Sequence, residues 1–350
     1  MIPTLTFCGK AASRIAGPAF GCPAAYGLVF AAPTRGAAFL GAVLRKAVML
    51  NKLIKIFLVM TLGIFTLPSF AALNILACEP EWGALALELG GDKVSIYNAT
   101  NAFQDPHHVQ AKPSLLAKAR SADLVVCTGA QLEIGWLPIL QQQAGNSKIQ
   151  TGQPGYFEAA QFVRMLEVPG SVDRSLGDVH PGGNPHIQTD PRNIGLVAAA
   201  LAKRLAEIDP ANGVYYQGNY KAFGERWNAA ILNWEKQAAP LKGMNIVVHH
   251  KAFVYLENWL GLRQVAALEP KPGVEPTSAH LSEVLAQLQR QPAKAVIRAA
   301  YSDGRGSEWL AERAKIPALM LPFTVGGSER AKDLYGLYDD TLQKLLSALK

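Results

Sequence analysis

Acidic residues are missing from the first 71 positions. No Asp or Glu occurs there, while Lys10, Arg14, Arg35, Arg45, Lys46, Lys52 and Lys55 supply seven positive charges. Removing those seven from the total of 34 leaves 27 basic residues against 27 acidic ones, so the formal charge of +7 belongs to the leader. The neutral body has no basic surplus to offer nucleic acid or an anionic membrane. Cysteine is also scarce: past residue 71 only Cys78 and Cys127 remain. That excludes a densely cross-linked scaffold. Each of the two ends an apolar, strand-like run, and neighbouring parallel strands would bring them together. A disulfide and two buried thiols are equally compatible with the sequence.

The stretch from Met49 reads as two lysines, an apolar run from Ile56 to Leu67, then Ser69-Phe70-Ala71. This is the three-part pattern of a secretory signal, with cleavage expected near Ala71. The apolar run is too short for a comfortable membrane span. Residues 1–48 are rich in Gly, Ala and Pro and show no persistent periodicity. They read as an upstream extension, with Met49 as initiator. Cys78 lies several residues past the apolar run, inside the first strand, so a soluble exported protein is favoured over a lipid-anchored one.

The remaining chain exceeds one typical core, and two lobes are expected. Short apolar runs (Leu73–Ala77, Val94–Tyr97, Asp123–Thr128) alternate with amphipathic stretches, the pattern of a parallel sheet flanked by helices. A second alternating half runs through Met244–Val248, Arg263–Leu268, Ala295–Arg298 and Ala318–Leu321. Between the halves, Tyr216, Tyr220, Phe223, Trp227, Ile231 and Trp234 keep helical spacing, so Gly213–Ala238 reads as one long helix. The fold class is therefore α/β, two lobes joined by a rigid helix. Residues 72–209 form the N-terminal lobe, 210–241 the connecting helix and 242–350 the C-terminal lobe.

Seven histidines occur, and six fall in three clusters: His107-His108, His180 with His186, and His249-His250. Each cluster lies where an apolar run gives way to a loop. In open α/β sheets, ligands bind beyond the carboxyl ends of strands. Three loops each bringing one imidazole to one point make a metal site, which here would lie in the cleft between lobes.

The boxes Asp105-Pro106-His107, Asn184-Pro185-His186 with Asp190-Pro191 after it, and His249-His250-Lys251-Ala252-Phe253 occur in order. In these features the chain resembles the zinc- and manganese-specific solute-binding proteins of bacterial ABC importers, over essentially all of residues 73–350. The resemblance implies metal ligands at His107, His186 and His250. It also implies a periplasmic location, delivery to an inner-membrane permease with its cytoplasmic ATPase, and no catalysis. A monomer is expected, with no nucleic acid partner. The family often adds a carboxylate near the last strand, but Leu321–Gly327 has none, leaving Glu329 or water for a fourth position. Asn184 stands where Asp is usual. His108, His180 and His249 are ancillary candidates, and His280 reads as a helix-surface residue.

Three imidazoles favour Zn²⁺ over Mn²⁺, which prefers more oxygen ligands. An exported zinc hydrolase is the rival class, with Glu79, Glu81 or Glu133 as candidate bases. No His-Glu-x-x-His array supports it. A metal-binding adhesin would share the fold.

Overall fold

The computed structural model describes residues 35–62, 72–170 and 177–350. The chain divides into two compact units, Met1–Ser69 and Phe70–Lys350. In the first, helix α1 runs from Arg35 to Leu62. It begins in the stretch without apparent periodicity and continues through Met49, built from Ala, Leu, Lys, Val and Met with no proline to stop it. The expected cleavage position near Ala71 lies outside the described residues. Among the described residues no helix is long and apolar enough to cross a membrane.

The second unit contains two four-stranded sheets, every pairing parallel. In the first lobe these are β1 (Leu73–Ala77), β2 (Val94–Asn98), β3 (Leu124–Cys127) and β4 (Tyr156–Glu158), in spatial order β2-β1-β3-β4. Helices α2 (Pro80–Gly90), α3 (Pro113–Ser121), α4 (Leu137–Ala144) and α5 (Pro191–Ile208) accompany them. The second lobe has β5 (Asn245–Val248), β6 (Arg263–Ala267), β7 (Ala295–Ala299) and β8 (Ala318–Leu321), in order β6-β5-β7-β8. Its helices are α7 (Val254–Leu260), α8 (Ser278–Arg290), α9 (Arg305–Ala314) and α10 (Leu334–Ser347). The second sheet thus repeats the strand order of the first, and both are parallel, as the alternating pattern led us to expect.

The central strands are apolar on both faces because helices cover both sides. β3, Leu-Val-Val-Cys, is buried at every residue. Two elements of the first lobe, β4 and α4, had no counterpart in the sequence reading. A three-residue strand is too short to show alternation, and α4 is a short helix that opens on Leu137-Pro138.

Helix α6 (Gly213–Ala238) lies between the two sheets in sequence and packs on both lobes. At about 1.5 Å per residue its 26 residues span roughly 39 Å. Tyr216, Phe223, Trp227 and Trp234 form its buried stripe. Trp227 Nε1 donates to the Pro191 carbonyl of the first lobe at 2.8 Å, and Trp234 Nε1 donates to Asp339 of the second at 2.7 Å. Both indoles also meet Tyr338 of α10, with ring centres 5.6 and 5.0 Å apart. Truncating either indole is worth roughly 3–5 kcal/mol, enough to loosen one lobe from the other.

The cysteine pairing that sequence left open is closed in the structure: Cys78 and Cys127 form a disulfide, with Cα atoms 4.8 Å apart at the neighbouring ends of β1 and β3. Bridging residues 49 apart restricts the unfolded chain. The Cys78→Ala/Cys127→Ala variant is expected to lose about 2–4 kcal/mol of stability in urea unfolding. Equal midpoints for the oxidised wild type and this variant would show that the bridge contributes nothing.

Candidate metal centre

The first histidine loop follows β2. Asp105 Oδ1 accepts from the His107 backbone N–H at 2.9 Å and meets the His107 ring at Nδ1, 2.7 Å away. Trp136 Nε1 donates to the Pro106 carbonyl at 2.9 Å, pinning the loop to the start of α4. With Nδ1 engaged, the opposite nitrogen of His107, Nε2, is buried and has no partner. Burial tends to raise the Asp105 pKa, but the hydrogen bond and charge of His107 outweigh it and hold the carboxyl below its usual value.

The second loop precedes α5, whose start is fixed by Pro191 and by Asp190 accepting from the Arg192 N–H at 2.9 Å. Asn184 Oδ1 accepts from His186 N at 3.1 Å, the same local turn that Asp105 makes with His107. Its amide nitrogen donates to the Lys251 carbonyl of the second lobe at 2.7 Å. An aspartate could not make that bond, which gives the departure at Asn184 a physical reason. His186 is only 1% exposed, and its Nδ1 has no partner. Burial, and then the nearby rings of His107, His250 and His180, push its pKa well below the ordinary imidazole value.

The third loop leaves the carboxyl end of β5. His250 Nδ1 meets Glu269 Oε2 at 2.6 Å, and the same oxygen accepts from Gly273 N at 2.8 Å. Glu269 follows β6, the neighbour of β5. It opens a Pro-rich segment that runs to Pro276. Its place beyond the carboxyl end of a strand adjoining a histidine loop was the available signal.

These loops bring His107, His186 and His250 together, with their ligand atoms all within 4.8 Å of one another. Tetrahedral zinc with bonds near 2.0–2.1 Å needs ligand atoms roughly 3.3 Å apart, so the widest of these spacings would close by up to about 1.5 Å. His180 lies beside the group, its ring centre 5.4 Å from that of His107. Burial, then the charge of His107, lowers its pKa to about 4. His108 is exposed, with its ring centre 6.3 Å from that of His107. His249 is buried and faces Glu269 at 3.9 Å, and burial lowers its pKa. His280, on α8, is half-buried and contacts the Ala267 carbonyl at 3.0 Å. Glu329 is exposed and is not among the grouped ligand atoms. The stretch after β8 instead sends Phe323 against His186, ring centres 5.4 Å apart.

The three candidate general bases are buried. Glu133 accepts from the backbone N–H groups of Thr128 and Gly129, and Glu81 accepts from the Thr324 hydroxyl. Burial pushes both up to about 7. Glu79 is raised as well, by burial and then by the neighbouring Glu133 charge.

Carboxylates that hold the outer nitrogen of ligand imidazoles typically affect affinity 10–100-fold. Asp105→Ala and Glu269→Gln are each expected to weaken divalent metal binding by about that factor, read in competition with a chromogenic chelator. Wild-type affinity in both would show that these carboxylates do not orient the rings.

The model of the zinc-uptake complex component A periplasmic family (ZnuA) matches residues 75–348. A metal ABC transporter substrate-binding lipoprotein, ScbA, from Streptococcus cristatus is 23% identical over 282 residues, covering 79% of this chain and 89% of that protein. A manganese ABC transporter substrate-binding lipoprotein, PsaA, from Streptococcus pneumoniae is 22% identical over the same shares. A crystal structure of ZnuA superposes with a TM-score of 0.65 at 23% identity, over 78% of this chain and 99% of that one. The family model spans well over half of the sequence, and the chain belongs to the ZnuA family.

Proposed function

We propose that this chain is the exported solute-binding protein of a bacterial ABC importer, capturing Zn²⁺ in the periplasm between His107, His186 and His250. It would pass the ion to an inner-membrane permease with its cytoplasmic ATPase. The observation that carries the reading is the convergence of three imidazoles from separate loops, two of them clasped at Nδ1 by carboxylates. The family model, described as a zinc-uptake component, supports a metal cargo, and ScbA and PsaA are named as substrate-binding proteins of metal transporters.

Zinc is preferred to manganese on the chemistry of the donors. Neutral nitrogen ligands suit tetrahedral Zn²⁺, while Mn²⁺ favours more oxygen. Asp105 and Glu269 are engaged with imidazoles, and the ring of Phe323 packs beside His186. Export would follow from the signal pattern of residues 49–71, cleaved near Ala71, with residues 1–48 an upstream extension and a monomer as the working form.

The apparent binding energy of a tight zinc site, roughly 10–16 kcal/mol, divided over four ligands is about 3 kcal/mol each, or ~100-fold in affinity. His107→Ala, His186→Ala and His250→Ala should each weaken zinc by about that factor, measured by isothermal titration or chelator competition. Near-wild-type affinity in any two sinks the assignment.

Ligand rings must be neutral to bind, so affinity is expected to fall as the pH drops below about 6.5. His186 is depressed well below that value, so it stays neutral and contributes no competing proton in this window. The loss between pH 6.5 and 5.5 should therefore stay below the about 1,000-fold that three protonating rings would give. A steeper loss in titrations at the two pH values would mean that His186 takes up a proton.

A further inference from the structure

The turn after β8 is strained. Thr324 N donates to the Pro322 carbonyl at 2.7 Å, closing a three-residue turn around Phe323, whose φ is +65°. A turn of this size with its central residue at positive φ is the rare, strained form, and a bulky aromatic there is an outlier. The surrounding backbone has little slack: a Cβ at Gly327 would collide with the Pro322 carbonyl. Strain of this kind persists only where neighbouring contacts over-determine the shape.

Two such contacts reach from this second-lobe turn to the first lobe, at adjacent residues. The ring of Phe323 meets that of His186 edge-on, with centres 5.4 Å apart. Behind it, Phe253 and Tyr301 of its own lobe back the same ring at 5.7 and 5.3 Å. The next residue, Thr324, donates its hydroxyl to Oε2 of Glu81, in the first turn of α2.

Glu81 has few other ways to satisfy its charge. It is 1% exposed, and its second oxygen, Oε1, is buried without a partner. Burial works against the ionised form, and the Thr324 hydroxyl is the largest influence in its favour. A hydrogen bond to an ionised group is among the stronger ones, and removing its donor leaves a desolvated oxygen unmet. Apolar packing of Phe323 on His186 has no preferred direction, whereas this bond does. The turn is thereby pinned at one residue and pressed against an imidazole at the residue before it. Glu81 itself is not among the grouped ligand atoms.

We propose that Glu81 is a positioning residue for cargo retention: by holding Thr324 across the cleft, it keeps Phe323 against His186 and the two lobes closed. The inference rests on the metal-capture reading above and gives one of the three buried glutamates a use. Contacts made in the closed form act mainly on how long a ligand stays, so the effect falls on release of the cation more than on its capture.

The test follows release of Zn²⁺ from the full chain to an excess of a chromogenic chelator in a stopped-flow instrument. Thr324→Val keeps the shape of the side chain and drops the hydroxyl. It should release zinc at least about 10-fold faster than the wild type. Thr324→Ser restores the hydroxyl and should bring the rate back close to the wild-type value. Adding Glu81→Ala to Thr324→Val should cost no more than the larger single effect, because both changes remove one bond. Wild-type release from Thr324→Val, no rescue by Thr324→Ser, or additive effects in the double variant would each overturn the role of Glu81 while leaving metal capture standing. Failure of the wild type to bind one equivalent of zinc would instead overturn the capture reading itself.

Discussion

The cluster of His107, His186 and His250 depends on the apolar seam along α6. The histidine loops come from both lobes, so their spacing is only as fixed as the packing that joins the lobes. Trp227 and Trp234 provide that packing within a single helix, one indole bonded to the first lobe and the other to the second. A helix of this length resists bending, and buried aromatic contacts do not slide continuously. Smaller polar ties at the cleft, such as Tyr255 donating to the Asn184 carbonyl at 2.8 Å and Tyr338 donating to the Gln188 carbonyl at 2.6 Å, then set the final register.

Within that frame the centre resolves a conflict of electrostatics. Clustered imidazoles would repel one another if protonated, and burial penalises the charged form. The chain responds in two ways. His186 is sunk deep enough to stay neutral, while His107 and His250 are given carboxylates on the side away from the cluster. With the outer nitrogen of these two rings taken by a carboxylate, the opposite nitrogen is left for a ligand role. The same burial leaves inner nitrogens unsatisfied, a cost a cation would offset on entering.

Much of this was legible in the sequence, unevenly so. The parallel sheets could be read because buried strands such as Leu-Val-Val-Cys are apolar throughout, and α6 because its aromatics keep helical spacing for about five turns. The three histidine loops were readable because each follows or precedes an identifiable element. Glu269 was not, since one carboxylate in a Pro-rich connection carries no periodic signal. The pairing of Cys78 with Cys127 required knowing that β3 lies beside β1, a crossover that spacing does not reveal. Nor could spacing show that Glu79, Glu81 and Glu133 are buried and bonded to Thr128, Gly129 and Thr324. The role of Asn184 needed the position of the Lys251 carbonyl.

That last residue has a bearing on how the protein ages. Asparagine side chains deteriorate when the following backbone nitrogen attacks the amide and a cyclic imide opens to aspartate. At position 184 such a change would replace the donor facing Lys251 with a negative charge aimed at a carbonyl oxygen, next to the loop that carries His186. The next residue is Pro185, whose nitrogen has no hydrogen and cannot make that attack. The Asn-Pro dipeptide therefore places an amide at the interlobe contact in a form protected from spontaneous deamidation.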